Sequence, residues 1–184
     1  MTTSSAPPRD VTDEASQRGL ELAAKAGDAY QQMVEYFIGN VANDGAMQQA
    51  GDYLVGVAAE EAEPLWHLLG GELQLKEPAA GMNAHLEVVV MDGADHRFIP
   101  QLTVQVVLSH AANEVGTYRL PLLWHPTMFH YGRSVHVPED GEYRMDVSIE
   151  APTFGRHDKT NGRRYAEPVT VSFEGIRIKR GRKT

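Results

Sequence analysis

From Tyr53 to Phe173 the chain alternates short β-prone runs with turn chemistry, and few architectures accommodate that rhythm. The runs fall at 53–59, 84–91, 102–109, 116–122, 134–137, 143–149 and 169–173. Val104, Val106 and Leu108 alternate as one face of a strand does. Between the runs stand Met91-Asp92-Gly93-Ala94, Ala112-Asn113-Glu114, Pro138-Glu139-Asp140-Gly141 and Asn161-Gly162. Pro64 and Gly70-Gly71 add further punctuation. About seven strands so spaced predict a mainly β, antiparallel sandwich.

Ahead of this region the period changes. Leu22, Ala26, Tyr30, Met33, Phe37 and Val41 form a helical stripe, opposed by Glu21, Lys25, Asp28 and Glu35. Thr12 is the expected N-cap, and Asn43-Asp44-Gly45 ends the pattern. The expected organisation is a disordered stretch at 1–11, an amphipathic helix at 12–44, a sandwich at 50–178 and a basic tail at 179–184. A lone amphipathic helix must bury its stripe. It either caps its own sandwich or meets a second subunit.

Composition narrows the chemistry. The 184 residues include no cysteine, eight histidines and seven methionines. Disulfides, iron–sulfur clusters and thiol catalysis are excluded, so any metal site must use imidazole, carboxylate or thioether. The net charge of −8 argues against nucleic-acid binding. No apolar stretch reaches the roughly 20 residues of a membrane span, so no membrane insertion is expected. MTTSSAPPRDVTDEASQ has neither a basic nor an apolar signal region, so the chain as written reads as cytoplasmic. No P-loop, HExxH or nucleophile elbow is present, and an enzyme is not expected.

Three segments could carry metal chemistry. In Ala84-His85-Leu86-Glu87-Val88, His85 and Glu87 share one strand face while Leu86 and Val88 share the other. An imidazole beside a carboxylate is half of a metal site, or simply a polar strand face. The loop at 120–132 crowds His125, Met128, His130 and three aromatics between prolines. It either holds a metal or anchors itself with buried rings. His157 follows the 143–149 strand in a loop with Arg156, where a surface position is the plainer reading. His67, His96, His110 and His136 read as structural or exposed.

The order of these pieces resembles the periplasmic iron-transport protein family, the copper-binding component of some bacterial ferrous-iron uptake systems. Treponemal metal-binding membrane antigens belong to the same group. The resemblance rests on His85-Leu86-Glu87, Ile99-Pro100-Gln101-Leu102-Thr103-Val104, His130-Tyr131-Gly132, Gly141-Glu142-Tyr143, Glu150-Ala151-Pro152 and Arg156-His157-Asp158, over roughly residues 82–175. It implies an immunoglobulin-like sandwich to which the N-terminal α-helix is an addition. It also implies a homodimer with copper near the subunit interface, and a role beside an iron permease or other metal-delivery partner. Carried over, the metal histidines are His85, His130 and His157, and the nearby carboxylate is Glu87. The family's methionine ligand falls on Leu122, so Met128 or His125 is the expected replacement. The family's acidic residue shortly before the His-Tyr-Gly motif is missing.

The expected function is binding of a copper or iron ion, with zinc possible, in iron or copper handling. Binding is expected to weaken as pH falls through about 6.5, where free imidazoles gain protons. The alternative is a non-metal interaction module that keeps only the fold.

Overall fold

The computed structural model describes residues 6–183. One helix, α1 (Gln17–Asn40), precedes eleven strands. These are β1 (Asp44–Ala50), β2 (Tyr53–Glu60), β3 (Leu65–Leu69), β4 (Glu72–Lys76), β5 (Ala84–Asp92), β6 (Val104–His110), β7 (Asn113–Leu120), β8 (Leu122–Trp124), β9 (Phe129–Val135), β10 (Gly141–Ile149) and β11 (Val169–Ile178). A five-stranded sheet, in the order β1-β2-β5-β9-β8, faces a four-stranded sheet, β11-β10-β6-β7. Strands β3 and β4 form a separate hairpin. The chain is therefore a mainly β antiparallel sandwich with an added N-terminal helix.

The core lies between the two sheets. Val55, Val57, Leu86, Val88 and Val90 from one meet Val104, Val106, Leu108, Met145, Val147 and Phe173 from the other. Two buried tyrosines tie loops to this core. The Tyr131 hydroxyl donates to the Ile99 carbonyl at 2.8 Å and accepts from the Leu102 amide at 3.1 Å. The Tyr143 hydroxyl donates to the Glu139 carbonyl four residues upstream, at 2.6 Å, as in the corner of immunoglobulin-like folds.

Six of the seven predicted strands correspond to β2, β5, β6, β7, β10 and β11. The seventh, 134–137, overlaps β9 only at residues 134–135, and the segment expected as a loop at 120–132 instead supplies β8 and the start of β9, so His130 lies on a strand. The other four lacked a signal. β1 (DGAMQQA) has no β-branched residue. β8 is three residues long, between prolines. The β3–β4 hairpin turns on Gly70 and Gly71, both at positive φ as a type I′ turn requires.

The helix docks on the outer face of its own five-stranded sheet. Val34 and Phe37 pack on Ala58, Val89, Met91 and Met128, with Tyr30 and Met33 alongside. Leu22 and Val41, the ends of the expected stripe, are exposed. Gly27 allows the docking, since a Cβ there would overlap the Asp95 carbonyl.

The N-terminal boundary differs from expectation. Ser16 is the cap, accepting from the Gly19 amide at 3.1 Å. Thr12 is taken up in a turn closed by Ala15, with its hydroxyl on Asp158 at 2.5 Å. Residues 1–5 of the segment expected to be disordered lie outside the described residues. Residues 6–11 are ordered: Ala6 is buried, and Arg9 pairs with Asp92 at 2.7 Å and Asp95 at 2.9 Å. The basic tail is not free either. It pairs with residue 62 through Ala62 N–H to the Gly181 carbonyl and Lys183 N–H to the Ala62 carbonyl.

Candidate metal centre

All nine residues of β5 are buried. Alternation sends Leu86, Val88 and Val90 into the core and His85, Glu87, Val89 and Met91 to the outer face. Register fixes their neighbours. His85 lies between Glu60 of β2 and Ser134 of β9, and Glu87 lies between Ala58 and Gly132. His130 projects from β9 on this same face. His85, Glu87 and His130 each offer a ligand atom within 4.8 Å of the others.

The small residues beside Glu87 make room for the rings. A Cβ on Gly132 would stand 2.7 Å from His85 Nε2 and 3.0 Å from His130 Nε2, so glycine there opens the space into which both nitrogens point. The ring centroids are 6.1 Å apart, nearly perpendicular. His85 Nδ1 lies 3.2 Å from Ser134 Oγ, a contact that orients the ring and frees Nε2. His85 Nε2, both nitrogens of His130 and Glu87 Oε2 are buried with no hydrogen-bond partner.

Burial controls the charge state. It lowers the pKa of His85 to about 4, helped by the Lys183 ammonium. It lowers that of His130 to about 4, with smaller contributions from His85 and His125. It raises Glu87 to about 8, helped by the charges of Glu60 and Glu63. His130 Nε2 lies 3.5 Å from Glu87 Oε1. At neutral pH this is a contact between a neutral imidazole and a carboxylic acid, not an ion pair. Both rings thus present free lone pairs, the form in which imidazole binds metals.

Of the other expected ligands, His125 is half-buried on the β8–β9 turn, its ring 6.4 Å from His130 and 6.1 Å from Phe37. Its Nδ1 meets Thr127 Oγ1 at 2.9 Å. Met128 is buried in the apolar cluster beneath α1. Leu122 pairs with Tyr131 and Leu123 with His130, so it is Leu123 that shares the site's face. His157 is not brought together with the other three. It is exposed in a cleft with Arg9, Ser16 and Tyr165. Its loop is pinned to the N-terminal arm, through Asp158 to Thr12 and Asn161 to Asp10.

Sequence reasoning missed an acidic neighbour. Glu60 and Glu63 approach Glu87, each with a carboxylate oxygen within 4.8 Å of the others. Lys183 Nζ lies 2.5 Å from Glu60 and 3.2 Å from Glu63. Extending the β2 alternation from Ala58 to Glu60 would have placed that carboxylate beside His85. Nothing local ties Lys183 to either acid.

The comparisons with known proteins bear on family and fold. A family model described as Fe2+ transport protein matches residues 32–176. The chain belongs to that family. Its fold is that of a copper-bound glutamate-to-glutamine variant of FetP from uropathogenic Escherichia coli strain F11, at a TM-score of 0.60 and 18% identity over 76% of this chain and 93% of that one. The copper-reconstituted P19 protein of Campylobacter jejuni matches at 0.61 and 18%, over 76% and 96%. FetP as isolated, expressed in the periplasm, matches at 0.56 and 20%, over 74% and 99%. No curated protein matches the chain. Among the described residues no helix is long and apolar enough to cross a membrane.

Proposed function

We propose that this member of the iron-transport family binds a copper or iron ion through His85, His130 and Glu87 and acts in iron or copper handling. The observation that carries the reading is the convergence of four buried, partnerless atoms: His85 Nε2, His130 Nδ1 and Nε2, and Glu87 Oε2. Each orphaned polar atom costs about 1–3 kcal/mol. A bound cation would satisfy several at once. Two imidazoles and a carboxylate suit borderline divalent metals, and intrinsic affinity favours Cu(II) over Zn(II) or Fe(II). The copper carried by FetP and P19 supports that choice.

His125 is the candidate for a further ligand from the same chain, since its ring already adjoins His130. Met128 is engaged in the apolar cluster and is the weaker choice. His157 could join the set only from a second copy, in the homodimer that the family resemblance implies. We place the protein with its relatives on the periplasmic side, passing its ion to a membrane permease and catalysing no reaction of its own.

Cu(II) titration followed by visible and paramagnetic resonance spectra tests the site. His85→Ala and His130→Ala should each lower copper affinity on the order of 100-fold, about 3 kcal/mol, and His96→Ala should leave it unchanged. Equal copper uptake by the wild type and His130→Ala rules the site out.

A further inference from the structure

The C-terminal tail delivers one ammonium into the acidic cluster beside the candidate site. Glu60, Glu63 and Glu87 each bring a carboxylate oxygen within 4.8 Å of the others. Glu60 and Glu87 are buried, and Glu87 Oε2 has no hydrogen-bond partner. Three carboxylates so close cannot all ionise unless a cation lies among them. Lys183 supplies that cation, its Nζ 2.5 Å from Glu60 and 3.2 Å from Glu63. The tail is built to put it there. Arg180 is clamped on Asp140, through its amide at 3.0 Å and its Nε at 2.9 Å. Gly181 passes so near Glu61 that a Cβ would stand 2.5 Å from its Oε1. Arg182 forms a parallel bridge with Ala62, and the Lys183 amide donates to the Ala62 carbonyl at 2.8 Å. Residue 62 lies between the two acids, so this register carries Lys183 to both. Residues 179–183 lie beyond the stretch 32–176 that the family model matches.

We propose that Lys183 is a tethered counter-ion filling an all-carboxylate cation seat made by Glu60, Glu63 and Glu87, and that it keeps hard divalent ions out while the neighbouring imidazoles stay open to borderline ones. The first half of this statement stands without the copper or iron reading of His85 and His130, and the second half rests on it. Oxygen ligands alone suit Mn(II), Mg(II) or Ca(II) rather than copper. Glu63 lines a cleft of about 250 Å³ with His67, Gly132 and Ser134, which gives ions from solvent a route to the seat. Lysine fits the role, because its ammonium is a compact point charge on a flexible stem. It brings one positive charge where a divalent ion would bring two. The backbone bonds of the tail hold it at the seat as an intramolecular competitor, always present at high effective concentration. An arriving ion must displace it.

Titration with Mn(II), followed by loss of the free-ion paramagnetic resonance signal, tests the seat. Lys183→Met should bind Mn(II) about 10-fold or more tighter than the wild type. Lys183→Arg keeps the charge and should stay as closed as the wild type. Glu60→Gln added to Lys183→Met should remove the gain, which localises the ion. A second readout uses the wild type alone and decides the question even where a variant fails to fold. Acetic anhydride should modify Lys183 about 10-fold more slowly than exposed Lys25 or Lys159, read by peptide mass spectrometry, because the seated amine keeps its proton. Equal Mn(II) affinity in the wild type and Lys183→Met overturns the proposal. So does a gain that survives Glu60→Gln, or acetylation of Lys183 as fast as that of Lys25. Copper is read separately, in the visible spectrum of the wild type. A chain that takes up no copper yet gains Mn(II) on Lys183→Met keeps the seat and loses the imidazole reading.

Discussion

Strand β5 carries two environments on one face, a few ångströms apart and equally buried. Val89 and Met91 sit under α1 among Val34, Phe37, Ala58 and Met128, an ordinary apolar contact. His85 and Glu87 meet His130, with four polar atoms left without partners. The apolar half gains stability from its burial. The polar half loses stability from the same degree of burial. Burial alone therefore does not mark a site. What separates the two halves is whether the buried atoms have partners.

The contrast is sharpest when each half is disturbed in turn. Phe37→Ala should cost about 3–5 kcal/mol in denaturant-unfolding stability, because it leaves a cavity under the helix. Copper affinity of the folded fraction should hold within a few-fold. If Phe37→Ala abolishes copper binding in folded protein, the two halves are one unit and the contrast fails.

How far each half was legible in the sequence follows from the range of the signals. Alternation within 84–91 correctly separated Leu86 and Val88 from His85 and Glu87, because a strand's period is local. The helix was legible from its stripe, but its docking face was rotated toward Gly27 and Val34, where close backbone approach decided the fit. Strand β8 and the hairpin were lost because three- and five-residue runs between prolines and glycines have no measurable period. The convergence of His85 with His130 came only through the family resemblance, since cross-strand register is non-local. His157 shows the limit of that route. Its motif is intact, yet in a single chain the N-terminal arm holds its loop elsewhere.

The charge states give the next largest effect. With Glu87 raised to about 8 against 4.5, the folded state keeps a proton that the unfolded state has already lost. Stability from this group is complete below about pH 4.5 and falls as pH rises toward 8. The two imidazoles, lowered to about 4 from 6.5, act in the opposite sense, and their contribution is lost as pH drops from 6.5 to 4. The metal-free protein should therefore be most stable near pH 6.5. Between pH 6.5 and 8 the wild type should lose about 2 kcal/mol relative to Glu87→Gln, measured by urea unfolding at each pH. Parallel curves for the two proteins would remove Glu87 from the buried, protonated state. The same charge states set the pH dependence of metal binding. The rings are already neutral at pH 6.5, so the Glu87 proton is the competitor, and affinity should fall as pH drops below about 8 and continue to fall below 6.5.

The smallest effect tests the register itself. The family resemblance puts a methionine ligand at Leu122, but Leu122 lies opposite Tyr131, which faces the core. Leu123 lies opposite His130 and therefore shares the face of His85 and Glu87. Adding a thioether at each position separates the sequence alignment from the strand pairing. Leu123→Met should shift the Cu(II) visible band and raise Cu(I) affinity a few-fold, about 1 kcal/mol, because soft sulfur then stands across from the imidazole. Leu122→Met should change neither, since its side chain faces away from the metal. The reverse result would mean that β8 pairs with β9 one residue out of the register seen here, which would exchange the faces of all three β8 residues.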